Sequence, residues 1–236
     1  MQEHTVRSYS EELRRLREMI ARMGGLAERQ VADATISLVR RDSELAGEVI
    51  SRDAVIDALE REIEAFCIRM LALRQPVGQD LRLIIASLKI SHGLERIGDY
   101  ARNAARRGLV LAQLPAIGSL NGFQRMANMV QANLKDAIDA LVNDDAAKAA
   151  EVWAADAPID EVYNGIFREM LTFMMEDPRN ITAATHLLFV AKNLERIGDH
   201  ATNIAETVHY AVRGDIMTQD RPKADVSASA VVRPPS

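Results

Sequence analysis

Cysteine is nearly absent from this 236-residue chain: Cys67 stands alone, so no intrachain disulfide can staple the fold. A single thiol fits a reducing compartment, and the expected location is cytoplasmic. Aromatic residues make up only 4%. That scarcity, beside abundant Ala, Leu, Arg and Glu, disfavours strands and favours helices. Long apolar runs are missing as well. Stretches such as Leu83-Ile84-Ile85-Ala86 are far too short to cross a bilayer, so any membrane association is expected through partners. The opening residues Met1-Gln2-Glu3-His4 lack the basic and then apolar pattern of a signal peptide. An excess of positive charge is absent too. The formal net charge of −5 argues against nucleic acid as the main partner. Three of the seven prolines lie after position 221, which leaves few breakers for the rest of the chain.

Those few breakers divide it into six long helical segments, the mark of an all-α fold. The first is expected from about residue 10 to 41, loosened or kinked at Gly24-Gly25. Asp42-Ser43 supplies a turn and an N-cap for a second, which runs to about residue 74. Gln75-Pro76-Val77-Gly78 ends it, and a third follows from about 80 to 113. Leu114-Pro115-Ala116-Ile117-Gly118 reads as a linker. A fourth spans about 119–142, a fifth runs to 175 with a kink expected at Pro158, and a sixth covers about 181–212. The polar, Pro-containing stretch 215–236 is expected to be a disordered tail.

The segments repeat. Leu94-Glu95-Arg96-Ile97-Gly98-Asp99 recurs as Leu194-Glu195-Arg196-Ile197-Gly198-Asp199, an offset of 100, and Ala101 and Asn103 match Ala201 and Asn203. At an offset of 103, Asp53-Ala54-Val55-Ile56-Asp57 matches Asp156-Ala157-Pro158-Ile159-Asp160, and Asp42 matches Asp145. The three-residue difference falls where a turn can absorb it. Residues 5–113 and 119–214 therefore read as tandem antiparallel three-helix bundles produced by internal duplication.

On a wheel of about 100° per residue, Leu194, Ile197, Ala201, Ile204 and Val208 form a core stripe, and Glu195 and Asp199 fall on the opposite, outward face. Glu95 and Asp99 do the same in the first copy. Residues four apart stack, so each pair aims two carboxylates at one spot. Hard cations bind clustered carboxylate oxygens. Counting back from the Pro76 and Pro178 turns puts Asp53 and Asp57 at the height of the first pair, and Asp156 and Asp160 at that of the second. The eight residues Asp53, Asp57, Glu95, Asp99, Asp156, Asp160, Glu195 and Asp199 are thus candidate metal ligands, for divalent or trivalent ions: iron, Mg, Mn or Zn. His92 reads as a flank residue, and Glu60 is replaced by Tyr163 in the second copy.

The doubled Glu-Arg-Ile-Gly-Asp-x-Ala-x-Asn motif, with the paired Asp-x-x-x-Asp, resembles that of the PhoU family. The resemblance covers about residues 5–214. It implies metal sites at these motifs and no enzymatic activity. It further implies a negative regulator of the phosphate-starvation response (the Pho regulon). Such a protein is an adaptor between a phosphate ABC transporter ATPase and a sensor histidine kinase, and a homodimer. Two other readings compete from the residues alone. A ferritin-like di-metal enzyme would need core-facing Glu-x-x-His motifs, which are absent beside the repeated pairs. A metal-free adaptor would use the acidic face to dock an Arg-rich partner.

Overall fold

Leucine, isoleucine and alanine recur every third or fourth position along nearly the whole chain, and helices result wherever no proline or turn sequence intervenes. The computed structural model describes residues 2–217 and 224–225, with side chains from residue 9. Among the described residues there are seven α-helices and no strand. They are α1 (Gln2–Arg40), α2 (Ser43–Arg74), α3 (Gly78–Leu111), α4 (Asn121–Val142), α5 (Ala146–Ala154), α6 (Ala157–Glu176) and α7 (Ile181–Arg213); a single 3-10 turn, Pro178–Asn180, precedes α7. None of these helices is long and apolar enough to cross a membrane.

Local chemistry sets the helix ends. The Asp42 carboxylate accepts a hydrogen bond from the Leu45 amide, 3.0 Å, at the start of α2. Asp145, its counterpart in the repeat, accepts from the Lys148 amide at 3.0 Å. Arg41 adopts φ +56° to turn the chain. Its guanidinium donates to the Leu111 and Ala112 carbonyls at 2.8 and 3.1 Å, satisfying acceptors that the end of α3 leaves open.

Two sequence expectations need correction. The fifth segment is two helices rather than one kinked helix. Pro158 has no N–H to donate and its ring would strike a carbonyl one turn back, so α5 stops at Ala154 and Pro158 sits in the first turn of α6. The Gly24-Gly25 pair, by contrast, does not interrupt α1. A Cβ on Gly24 would lie 2.8 Å from Ile138 of α4, so this glycine permits helix contact rather than a kink. The 215–236 tail falls mostly outside the described residues; residues 224 and 225 are within them.

α1–α3 form one three-helix bundle, and α4–α7 form the second, with α5 and α6 together standing in for one helix. The bundles join through α3 against α7 and α1 against α4. α3 and α7 run antiparallel: Gly93 meets Ile204, and Arg107 lies over the Phe189 ring 4.0 Å from its centroid. A continuous apolar core, with Leu16, Ile63, Ile97, Met126, Ile166 and Ile197 all buried, runs through both.

Candidate functional site

The carboxylate motifs lie in the seam between neighbouring helices of each bundle. Close backbone approach makes that seam narrow. A Cβ on Gly98 would sit 3.1 Å from Ile56 and 3.3 Å from the Asp53 carboxylate. On Gly198 it would sit 3.3 Å from Ile159. These mid-helix glycines thus let α2 press on α3 and α6 on α7. The narrowness overturns the outward reading of the wheel at Glu195, which is buried, and it buries three of the four aspartates that α2 and α6 bring to the seams. Asp53 is 3% exposed, Asp156 2%, Asp160 3% and Glu195 5%, while Asp57, Glu95, Asp99 and Asp199 are half-buried. A wheel registers one buried stripe, whereas a helix in a bundle touches neighbours on two sides.

In the first unit, α2 contributes Asp53 and Asp57, and α3 contributes Glu95 and Asp99. Asp53 accepts from the Gln30 amide of α1 at 3.0 Å and pairs closely with the Arg102 guanidinium. Gln30 also donates to the Gly98 carbonyl, 3.3 Å, tying all three helices together. Arg102 reaches Asp99 at 2.5 Å, and Arg96 reaches it at 3.4 Å. Burial raises the Asp53 carboxyl from its ordinary value; Arg102 opposes this, and the charges of Asp57 and Asp99 add to it. Glu95 is raised by burial first, then by Asp99 and Glu60, against His92 and Arg96. Four carboxylates therefore share one crowded seam.

Two residues that the sequence passed over belong here. His92 Nδ1 lies 3.1 Å from Glu60 Oε1, and Glu60, His92 and Glu95 present ligand atoms all within 4.8 Å of one another. The signal was available in the spacing. Glu60 follows Asp57 by three residues and His92 precedes Glu95 by three, so both lie one turn along the same faces. Two carboxylates and an imidazole at this separation fit a divalent cation.

The second unit keeps the backbone and changes the chemistry. Lys192 stands at the His92 position, and its ammonium lies 2.9 Å from Glu195 and 5.0 Å from the centroid of the Tyr163 ring, which replaces Glu60. Thr202 takes the Arg102 position and donates to Asp156 at 3.3 Å. Asp160 accepts two backbone amides, from Ala224 at 2.8 Å and Asp225 at 3.1 Å. Burial raises Asp160, and those amides partly offset it. Glu195 is raised chiefly by burial, with Lys192 opposing and Asp199 and Asp225 adding. Its Oε2 is buried and meets no hydrogen-bond partner among the described residues.

Both units recur in known proteins. The PhoU domain profile matches residues 20–108 and 123–208, one copy per bundle. A phosphate-specific transport system accessory protein PhoU homolog of Caulobacter vibrioides is 52% identical over 227 residues, 96% of this chain and 99% of that protein. Its counterpart in Rhizobium meliloti is 44% identical over 227 residues, 96% of each chain. The crystal structure of PhoU from Pseudomonas aeruginosa superposes with a TM-score of 0.83 at 42% identity, covering 88% of this chain and all of that one. The phosphate transport system regulatory protein PhoU from Streptococcus pneumoniae gives 0.82 at 28% identity, covering 89% and 100%. With the doubled helical unit, the repeated carboxylate motif and these relatives agreeing over nearly its whole length, the chain belongs to the PhoU family.

Proposed function

We propose that this protein is a regulatory adaptor of phosphate uptake and holds the phosphate-starvation response off when phosphate is plentiful. The observation that carries this reading is the full-length match to proteins named as phosphate-specific transport system accessory proteins. Its partners on this reading are the phosphate ABC transporter ATPase and a sensor histidine kinase, met in the cytoplasm by a homodimer. It acts by binding and does no catalysis. A deletion strain grown at high phosphate tests the role. A starvation-gene reporter is expected to be switched on there, and a silent reporter would overturn it.

Metal belongs to the same reading. The seam of α2 and α3 offers Asp57, Glu60, His92, Glu95 and Asp99. A cation held there would offset the burial, and then the repulsion from Asp99 and Glu60, that raise Glu95. An imidazole among oxygen ligands favours iron, Mn or Zn over Mg. In the second unit, Asp156, Asp160, Glu195 and Asp199 present the same carboxylates, but Lys192 already places a positive charge on Glu195. Metal content of protein purified without chelator is expected to drop in Glu95→Gln. Equal content in wild type and variant would remove metal from the reading and leave the adaptor role standing.

A further inference from the structure

Among the described residues, the second seam contains something the first does not: residues 224 and 225 of the chain's own C-terminal region. Side chains of α6 and α7 hold them. Asp160 Oδ2 accepts the consecutive amides of Ala224 and Asp225. Asn164 Nδ2 donates to the Ala224 carbonyl at 2.8 Å. Lys192 Nζ reaches the Asp225 carboxylate at 3.0 Å while also holding Glu195. Donors and acceptors alternate along the segment: both amides, the Ala224 carbonyl and the acidic side chain each meet a partner. Such a constellation recognises a peptide: main-chain bonds give affinity and a charge pair selects the side chain.

Asp160 has its identical counterpart in Asp57, but the other two residues that make these contacts, Asn164 and Lys192, are places where the second unit departs from the first. Asn164 stands where the first unit has Arg61, Lys192 where it has His92, and Tyr163 where it has Glu60. Tyr163 is 4% exposed and carries Lys192 over its ring, which fixes the ammonium between Glu195 and Asp225. A metal cation at this position would meet the ammonium as a like charge and would find Asp160 occupied by amides.

We propose that the second seam is a docking site for an extended acidic peptide, and that the Ala224–Asp225 segment of the same chain is its occupant. The duplicated site has thereby divided its labour. Carboxylates that face a histidine cluster in one unit accept peptide amides in the other. This goes beyond the metal reading and does not depend on it, because a protein free of metal keeps every contact named.

Amide hydrogen exchange of the full-length protein, read by mass spectrometry, tests the assignment. The amides of residues 224 and 225 are expected to exchange more slowly than those of a free peptide of the same sequence. Asp225→Ala lies outside the helices and cannot unfold the bundle. Lys192→Gln removes the ammonium. Each is expected to speed exchange at 224 and 225 by about tenfold, the loss of one charge-assisted bond, with α6 and α7 unchanged. Free-peptide rates in the wild type would overturn the proposal, as would unchanged protection in both variants. Protection that falls on dilution would assign the segment to a second copy of the chain and overturn the intrachain occupant.

Discussion

The two carboxylate seams share a backbone and a core but differ in what neutralises them. In the first, a guanidinium from α3, Arg102, bridges Asp53 and Asp99, and Glu60, His92 and Glu95 stand together one to two turns away. In the second, Thr202 at the Arg102 position gives Asp156 only a hydroxyl, while an ammonium and two peptide amides meet other acids: Lys192 on Glu195, and residues 224 and 225 on Asp160. The positions that set the geometry are the same in both. Leu94 and Leu194, Ile97 and Ile197, and Gly98 and Gly198 are all buried. A duplication can thus conserve the packing that creates a site while a few side chains at its rim choose the ligand.

The largest contrast is expected at the buried aspartates. Asp53→Ala leaves Arg102 and the Gln30 amide without their shared acceptor, a loss of about 3 kcal/mol. Asp156→Ala removes a carboxylate that meets the Thr202 hydroxyl where Asp53 meets a guanidinium, and it is expected to cost less, about 1–2 kcal/mol. Urea unfolding of both variants checks the order, and equal losses would break the contrast. Next comes His92→Lys, which copies the second unit into the first. His92 is exposed, so the fold is expected to be unaffected. The new ammonium beside Glu60 and Glu95 is expected to weaken metal binding about a hundredfold in a calorimetric titration, as like charges brought together cost several kcal/mol. Unchanged affinity would show that the histidine cluster is not what distinguishes the seams.

A smaller effect probes how the bundles join. Gly24→Ala forces a Cβ against Ile138 and is expected to destabilise by about 1–2 kcal/mol. Gly25→Ala has open space, gains helix propensity, and is expected to stabilise by about 1 kcal/mol. Thermal unfolding separates the two, and a shared sign would contradict close packing of α1 on α4. The smallest effect belongs to the Glu12–Arg74 pair at 2.8 Å, where α1 and α2 extend beyond anything α4 offers in the second unit. The hydrogen bond from Arg74 holds Glu12 below its ordinary value of 4.5. Its contribution is therefore fully present above pH 4.5 and is lost as pH falls through the lowered folded value. Glu12→Gln is expected to lower Tm by no more than about 2 °C at pH 7, a gap that closes in acid.

Much of this molecule is legible in one dimension. The Asp42 and Asp145 caps, the Gln75–Gly78 turn and the repeated Leu-x-x-Ile stripe each depend on residues a few positions apart, and the helices follow from them. Pro158 misled only in degree, because sequence alone does not say whether a proline bends a helix or ends it. Gly24 misled in kind. Its role depends on Ile138, which lies 114 residues away, and propensity carries no information about that neighbour.

The carboxylate seams fall between these cases. Spacing placed eight acids in two groups, since heptad-scale periodicity and hairpin length fix their heights. Their burial, and the company they keep, were decided by packing. Glu60 and His92 join the first seam only because α2 lies against α3. The Ala224–Asp225 segment reaches the second only because the chain folds back across more than sixty residues to Asp160. Local sequence determines which face of a helix is acidic. Only the tertiary structure decides what stands opposite that face, because neighbours distant along the chain supply both the charge and the low-dielectric surroundings that give a carboxylate its chemistry.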